Sequence, residues 1–289
     1  MRLENQADDA TLPSDGLRLP IDSSFGDTVT ALLRRLRSGQ APTLPSPAPA
    51  RIMKHHFDEV LPEDTYLVSF PRSGNTWLRC LLTAVVHDGK LTPDLVADTV
   101  PDLHHSDPAV RPGAGPIWVK SHFPAPERPF AGRVLYLVRH GVDAMTSYHH
   151  YLQLRGRIGP DVTFDEFVNG GDIWPCPWPI HVGGWLDALE TVPPDRGQVV
   201  RYEDLLAAPH ERLSEICRFL GLAPDPTAID LAVSVSRPEK LAGLESAAGS
   251  GSLNHVGRRP AVPQRRGPAT GQFLAACAPV LARAGYRSE

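Results

Sequence analysis

The chain has few of the features that mark secreted, membrane-spanning or metal-binding proteins. It has four cysteines among 289 residues, and no two of them form a C-x-x-C pair. Cysteines this sparse favour free thiols, and Cys80 and Cys217 fall in apolar helical patterns where a buried thiol is expected. No apolar run approaches the roughly 20 residues that a membrane-spanning helix needs. The first 15 residues are polar and acidic, unlike a secretory signal, so we expect a cytoplasmic protein without a membrane span.

Basic residues are slightly fewer than acidic ones, and this balance narrows the class of partner. The chain has 29 Lys and Arg against 33 Asp and Glu, for a net charge of −4. A negative balance argues against binding a nucleic acid polymer. It leaves open a small polyanion, because such a ligand needs only a local cluster of cations.

The first 50 residues differ in composition from the rest. Val29, Leu32, Leu33 and Leu36 fall at helical spacing, and residues 42–50 form a proline-rich stretch typical of an extended linker. We therefore predict a partly disordered N-terminal extension over residues 1–50 and one domain over residues 51–289.

From residue 51 onwards, short apolar runs alternate with helical patterns. The predicted strands are Thr65–Phe70, Pro116–Ser121, Arg133–Val138 and Gln198–Tyr202. The predicted helices are Thr76–His87, Val142–Tyr151, Pro209–Leu220, Ala228–Ser234 and Gly271–Ala284. This alternation indicates an α/β domain with a central parallel β-sheet flanked by helices, and ligands of such sheets bind beyond the strand C-termini.

The segment from Thr65 to Leu78 predicts an anion-binding loop. It joins a β-branched strand to a helix through Pro-Arg-Ser-Gly-Asn-Thr. A helix N-terminus attracts phosphate or sulfate through its unpaired N–H groups and its dipole. The nucleotide P-loop pattern G-x-x-x-x-G-K-[ST] does not fit, because Gly74 is the loop's one glycine and the cation, Arg72, precedes it.

This loop closely resembles the 5′-phosphosulfate loop of the PAPS-dependent sulfotransferases, T-Y-P-K-S-G-T-T-W, where PAPS is 3′-phosphoadenosine 5′-phosphosulfate. Here the segment from Ser69 reads S-F-P-R-S-G-N-T-W, with arginine in place of the usual lysine. The resemblance implies the sulfotransferase fold, akin to that of P-loop NTPases, and PAPS as co-substrate. It assigns the cofactor's 5′ end to Arg72, Ser73, Gly74, Asn75 and Thr76, and stacking on its adenine to Trp77.

Two further segments resemble the family's 3′-phosphate site. Arg139-His-Gly-Val-Asp-Ala-Met-Thr-Ser147 is similar to R-x-P-x-D-x-x-x-S, with glycine in place of proline. It implies 3′-phosphate contacts from Arg139 and Ser147, although a helix-entry salt bridge from Arg139 to Asp143 is an open alternative. Near the C-terminus, Gln264-Arg-Arg-Gly-Pro-Ala-Thr-Gly271 resembles R-K-G-x-x-G. Its counterparts would be Arg265, Arg266 and Gly267.

The adenine contacts are completed by two more matches. Tyr202 lies in Arg201-Tyr-Glu-Asp-Leu, which resembles the family's Y-E-D-L segment, and Ser236 matches a Ser or Thr near the adenine. An aromatic residue at position 77 or 202 is equally compatible with an ordinary hydrophobic core.

Val119-Lys-Ser-His-Phe-Pro resembles the family's K-T-H-L-P, whose histidine is the general base. The resemblance implies that His122 takes the acceptor's proton while Lys120 and Arg72 stabilise charge on the sulfuryl and bridging oxygens. These cations would take the place of a metal, and the histidine pairs 104–105 and 149–150 lack the i, i+4 spacing of a helical zinc site. We interpret those pairs as surface or pocket-lining residues.

The acceptor is less constrained. The block from Trp174 to Trp185 partly resembles Y-G-x-W-x-x-H-V-x-x-W, where Trp178 and His181 either line the acceptor site or pack in the core. An aromatic, histidine-rich wall suits a small hydroxyl-bearing molecule such as a phenol, a sugar or a natural-product or lipid alcohol. Two other functions stay open: a P-loop-type kinase using ATP, and a non-catalytic adenosine-phosphate-binding protein. The family's C-terminal dimer motif has no match, so the oligomeric state is undetermined.

Overall fold

A computed structural model describes residues 61–104, 116–126, 132–170, 173–247 and 268–286, and the N-terminal extension lies outside these ranges. Four strands form one sheet: β1 (Thr65–Ser69), β2 (Trp118–Ser121), β3 (Arg133–Val138) and β4 (Gly197–Arg201). Their order is β2-β1-β3-β4, and all three pairings are parallel. The predicted strands and the parallel α/β architecture are therefore confirmed.

Helices follow the strands and cover both faces of the sheet. They are α1 (Asn75–Val86), α2 (Pro93–Thr99), α3 (Gly141–Leu154), α4 (Phe164–Asn169), α5 (Trp178–Glu190), α6 (Tyr202–Ala207), α7 (Pro209–Phe219), α8 (Pro226–Val235), α9 (Pro238–Ala247) and α10 (Pro268–Arg283). None of these helices is both long and apolar enough to cross a membrane.

The sheet separates two hydrophobic cores because successive side chains of a strand point to opposite faces. Tyr66 and Tyr136 belong to one core, which includes residues of α3, α5 and α10. Leu67 and Leu135 belong to the other, with residues of α1, α7 and α8. A parallel sheet buried on both faces explains why β1 and β3 are apolar throughout their inner positions.

Some element boundaries differ from the sequence prediction. The fourth strand ends at Arg201, and Tyr202 instead begins α6. Helices α2, α4, α6 and α9 were not predicted, and α5 begins within the block that resembles the family's Y-G-x-W-x-x-H-V-x-x-W. Helix α2 begins at a Thr92 cap and α4 at a Thr163–Glu166 capping box, which are local signals that the prediction missed. All four cysteines are buried and free, as expected for Cys80 and Cys217.

Candidate active site

The β1–α1 loop lies at the C-terminal edge of the sheet and turns through two left-handed residues. Arg72 has φ 65° and Gly74 has φ 99°. Gly74 is also the N-cap of α1, and no side chain caps that helix end. A Cβ at this position would lie 2.4 Å from the Tyr202 ring, so glycine is required both for the backbone conformation and for the close approach of that ring. The loop therefore leaves backbone N–H groups of the first helical turn available to an anion.

The Asn75 side chain at the end of the loop is hydrogen-bonded to β1. Asn75 Nδ2 donates to the Leu67 carbonyl at 2.8 Å and to Ser69 Oγ at 3.2 Å. The Asn75 side chain thus faces the strand. The backbone N–H groups of Asn75 and of the half-buried Thr76 lie in the first turn of the helix. Ser73 Oγ is buried and has no hydrogen-bond partner in the part of the chain that the structure describes.

The two predicted phosphate segments touch one another through their arginines. Arg139 Nη1 donates to the Arg72 carbonyl at 2.9 Å, and Arg72 Nε donates to Ser147 Oγ at 3.4 Å. The Arg72 guanidinium also lies over the Tyr151 ring, 4.9 Å from its centroid. Arg72 and Arg139 therefore lie next to each other at the C-terminal edge of the sheet.

Arg139 does not make the alternative salt bridge to Asp143. Its guanidinium lies 4.8 Å from the Tyr202 ring centroid, and its Nε is buried without a partner among the described residues. Asp143 lies in the first turn of α3, but the N-cap His140 gives no side-chain cap there. A carboxylate there complements the helix dipole, and the backbone N–H of His140 donates to Glu203 Oε1 rather than to Asp143.

The residues predicted to contact adenine meet beside the start of α1. Trp77 Nε1 donates to the Ser236 carbonyl at 3.0 Å, and the Trp77 and Tyr202 rings meet edge to face with centroids 5.9 Å apart. Ser236 Oγ is buried and makes no hydrogen bond within the described ranges. Three segments distant in sequence thus converge on one small area.

Arg265, Arg266 and Gly267 lie outside the described residues. The helix that follows them, α10, is described, and its N-terminus is fixed by Asp165 of α4. Asp165 Oδ1 accepts from the backbone N–H of Thr270 at 2.8 Å and from Thr270 Oγ1 at 2.9 Å, and Oδ2 accepts from Ala269 N at 3.2 Å. The C-terminal helix is therefore anchored immediately after the predicted third cationic segment.

His122 follows β2 and is held so that one ring nitrogen remains available. Its Nδ1 lies 2.6 Å from the Ser69 carbonyl, which can only accept, so Nδ1 carries the proton in the neutral ring and Nε2 has the lone pair. Burial, together with the positive charge of Lys120, lowers the pKa of His122 well below its usual value. The imidazole is therefore neutral near pH 7 and able to accept a proton.

Two more histidines are hydrogen-bonded to the backbone of His122. The sequence did not predict this role for either of them. His104 Nε2 accepts from the His122 backbone N–H at 2.8 Å, and the two rings stack with centroids 5.4 Å apart. His181 Nε2 donates to the His122 carbonyl at 3.0 Å, while its Nδ1 accepts from Tyr136 OH at 2.9 Å. Burial lowers the pKa of His181 to about 4, so this ring is neutral.

Of the two interpretations of Trp178 and His181, the structure favours packing, since both side chains are fully buried. Trp174 is 39% exposed and meets the rings of His104 and His122 edge-on, at 5.0 and 6.0 Å between centroids. Phe123 lies 4.6 Å from the His104 ring. These aromatic groups surround the His122 ring, and His104 is half-buried among them.

Lys120 is buried and paired. Its Nζ lies 2.5 Å from Asp102 Oδ2, and its side chain is 3% exposed. Burial lowers the pKa of Lys120, and Asp102 opposes that shift. The signal for Asp102 in the sequence is weak, because the residue lies 18 positions before its partner and outside every recognised segment.

Comparisons with known proteins identify the family of the chain. The family model described as "Sulfotransferase domain" matches residues 62–255, more than half of the chain. Mouse Sulfotransferase 1B1 is 29% identical over 189 residues, covering 58% of this chain and 62% of the relative. Flavonol sulfotransferase-like from Flaveria bidentis is 28% identical over 180 residues, covering 55% of this chain and 58% of the relative. The alignments thus span about three fifths of these relatives.

Two solved structures share the fold. One is the crystal structure of mouse sulfotransferase SULT7A1 complexed with PAP, which is 3′-phosphoadenosine 5′-phosphate. Its TM-score is 0.61 at 16% identity, and the match covers 88% of this chain and 90% of that one. The other, the crystal structure of retinol dehydratase with retinol and PAP, has a TM-score of 0.56 at 17% identity, covering 80% and 84%. At these identities the likeness establishes the fold, and the matching family model establishes the relationship: the chain belongs to the sulfotransferase domain family.

Proposed function

We propose that this protein transfers the sulfuryl group of PAPS to a hydroxyl of a small-molecule acceptor. The observation that carries the proposal is a set of buried polar atoms without partners among the described residues: Ser73 Oγ, Arg139 Nε and Ser236 Oγ. Buried donors are normally hydrogen-bonded, so a cluster that lacks partners indicates a ligand that completes it. These atoms come from three segments around Trp77 and Tyr202. The guanidinium groups of Arg72 and Arg139 supply positive charge there.

The chemical demands of PAPS match these groups. Arg72 and the start of α1 would hold the 5′-phosphosulfate, and Arg139 with Ser147 would hold the 3′-phosphate, since an arginine fork pairs well with a dianionic phosphate. Trp77, Tyr202 and Ser236 would surround the adenine. Asn75 and Thr76 would contribute backbone N–H groups, and Arg265, Arg266 and Gly267 complete the proposed 3′-phosphate contacts.

In the proposed reaction, the acceptor oxygen bonds to sulfur while the bond from sulfur to the 5′-phosphate oxygen breaks. The acceptor's proton passes to His122 Nε2, the nitrogen that its hydrogen bond to the Ser69 carbonyl leaves unprotonated. Lys120 and Arg72 stabilise the negative charge that grows on the transferred and departing oxygens. PAP and a sulfate ester leave. Because arginine does not lose its proton in proteins, Arg72 acts as a permanent cation rather than an acid.

For the acceptor we propose a hydroxyl-bearing molecule with an apolar body, such as a phenol or an alcohol of a natural product. Trp174 and Phe123 next to His122 support this choice, since apolar and aromatic walls with few polar groups are typical of small-molecule sites. The names of the aligned relatives, which include a flavonol sulfotransferase-like protein, support the same class.

Calorimetry with PAP and with ADP, both without added metal, tests the nucleotide class. We expect PAP to bind at least about tenfold tighter, because ADP lacks the 3′-phosphate that Arg139 would contact. Equal affinities, or binding of ADP that requires Mg²⁺, would instead favour an ATP-dependent kinase. Turnover of labelled PAPS with a panel of phenols, sugars and aliphatic alcohols then separates an enzyme from a non-catalytic binding protein.

A further inference from the structure

The carboxylate of Asp102 contacts Lys120 and the backbone of His104, which in turn contacts His122, and no motif of the family assigns it. Residues 101–103 run beside β2 as a short parallel extension of the sheet. Lys120 N donates to the Pro101 carbonyl at 2.8 Å, and Leu103 N donates to the Lys120 carbonyl at 3.1 Å. These two hydrogen bonds form a parallel β-bridge that makes Asp102 and Lys120 neighbours. The backbone therefore fixes the carboxylate next to the ammonium group.

The two oxygens of Asp102 have different partners. Oδ2 accepts from Lys120 Nζ at 2.5 Å, and Oδ1 accepts from the backbone N–H of His104 at 3.1 Å. His104 in turn accepts the backbone N–H of His122 through Nε2. One carboxylate thus holds the cation directly, and it holds the base through one intervening residue.

We propose that Asp102 is a positioning residue for sulfuryl transfer, which keeps Lys120 in place as an ammonium ion and keeps His104 against the backbone of the base. This inference rests on the proposed function, since it presupposes that Lys120 and His122 act on the transferred group. It adds to that function a residue that supplies neither the base nor a contact to the nucleotide.

The reason for the first role is the charge around Lys120. The charged groups that act on it are Asp102, Arg79 and Arg72, and its own charge in turn acts on the His122 ring. Asp102 is the one acidic group among them. Arg79 is itself buried and donates to the Val100 and Val96 carbonyls at 2.9 and 3.4 Å. Burial and two nearby arginines all favour the neutral amine, and the carboxylate opposes them. A neutral amine could not stabilise developing negative charge as an ammonium ion does.

The decisive variant is Asp102→Asn, which keeps the shape and an acceptor oxygen but removes the charge. We expect kcat to fall as pH rises, by about tenfold for each pH unit above the lowered pKa of Lys120, and to recover toward the wild-type value as pH falls. Protonation of His122 should not alter the acidic limb of this pH profile, because burial holds its pKa well below the usual value. The KM for PAPS should change much less than kcat.

A matched control is Asp64→Asn. Asp64 is also fully buried and accepts backbone hydrogen bonds, from Leu61 N at 2.8 Å and Ile117 N at 3.0 Å, but it lies at the opposite end of β1. Its loss should lower the melting temperature and leave the shape of the pH profile unchanged. A second background is Lys120→Arg: because arginine stays protonated, Asp102→Asn added to it should produce no new pH dependence.

A readout that needs no turnover is the titration of Lys120 itself. The chain has four lysines (Lys54, Lys90, Lys120 and Lys240), so ¹³C-labelled lysine side chains give few NMR signals, and Lys120→Met identifies the relevant one. In Asp102→Asn the Lys120 signal should titrate at lower pH than in the wild type. Should Asp102→Asn not fold, Asp102→Glu serves instead: it keeps the charge, so kcat should fall equally at every pH.

The outcomes separate this inference from the proposed function. Absence of PAP binding or of PAPS turnover in the wild type would overturn the function. Normal PAP binding and turnover in the wild type, with a pH profile of Asp102→Asn parallel to it and an unshifted Lys120 signal, would overturn the role of Asp102 alone. A shifted Lys120 signal together with a pH-dependent loss of kcat would support it.

Discussion

The nucleotide end and the reacting end of the candidate site satisfy their buried polar groups in opposite ways. At the nucleotide end, Ser73 Oγ, Arg139 Nε and Ser236 Oγ have no partners within the described chain. At the reacting end, both main-chain groups of His122 and its Nδ1 are bonded, and Lys120 is paired with Asp102. Unpaired buried donors are costly, so under the proposed function the bound nucleotide would supply the missing partners of the first group, whereas the second group is already hydrogen-bonded.

This contrast has a consequence for catalysis. Groups fixed before the substrates arrive need no reorganisation during the reaction, which is where preorganised electrostatics is most effective. Groups that wait for a ligand contribute mainly to affinity. Substitutions at the reacting end should therefore lower turnover, and those at the nucleotide end should weaken binding.

The largest effect should come from His122→Ala. Loss of a general base should lower kcat by roughly 10²–10⁴, while PAP affinity stays near the wild-type value because the base does not contact the nucleotide in the proposed arrangement. Steady-state kinetics and calorimetry measure the two quantities. His87→Ala is the control: His87 is also half-buried, and its ring is hydrogen-bonded to Thr99 Oγ1 at 2.9 Å, but it lies at the far end of α1. Near wild-type turnover of His122→Ala would remove this residue from the mechanism.

Arg72 tests the border between the two ends, since it contacts Ser147 of the nucleotide side and is also proposed to stabilise the transition state. We expect Arg72→Ala to lower kcat by about 10²–10³, the loss typical of an oxyanion-stabilising donor. Arg72→Lys, which introduces the residue usual in the family's loop, should retain most turnover. A variant that weakens PAP binding and leaves kcat unchanged would assign Arg72 to the nucleotide end alone.

The sequence predicted that Arg72, Gly74 and Arg139 lie at one edge of the sheet, because each belongs to a continuous strand–loop–helix segment. Arg72, Gly74 and Arg139 each follow a strand directly, so local pattern and position on the sheet place them together. The structure brings them into contact through Arg139 and the Arg72 carbonyl. Parallel strands that end at the same sheet edge make this convergence predictable.

The hydrogen bonds around His122 could not be predicted in the same way. Asp102 and His181 lie 18 and 59 residues from the groups they hold, Lys120 and the His122 carbonyl. No local period connects such positions, and whether a histidine is buried is decided by tertiary packing. For the same reason the sequence left Trp178 and His181 between two interpretations, which the burial of both side chains distinguishes.

A moderate effect, on binding rather than on turnover, is expected for Arg139→Gln. A hydrogen bond to a charged group is worth roughly 1.5–3 kcal/mol, so the dissociation constant for PAP should rise about 10- to 100-fold. Adenosine 5′-phosphate, which lacks the 3′-phosphate, should bind both proteins with similar affinity. An equal loss for both nucleotides would show that the substitution disturbs the Arg72 loop, to which Arg139 donates, and not a 3′-phosphate contact.

The smallest effect is expected behind the base, at Tyr136→Phe. The substitution removes the hydroxyl that donates to His181 Nδ1 and leaves a buried acceptor unpaired, which should lower the free energy of unfolding by about 1–3 kcal/mol. Urea unfolding measures this loss. Tyr148→Phe is the control, because Tyr148 is another buried tyrosine, and its ring packs edge-on against Phe70. If the hydrogen bonds of the reacting end support one another, kcat should also fall in Tyr136→Phe. The fall should exceed what the loss of folded protein alone explains. Unchanged kcat would mean that His181 holds the His122 carbonyl equally well without the tyrosine.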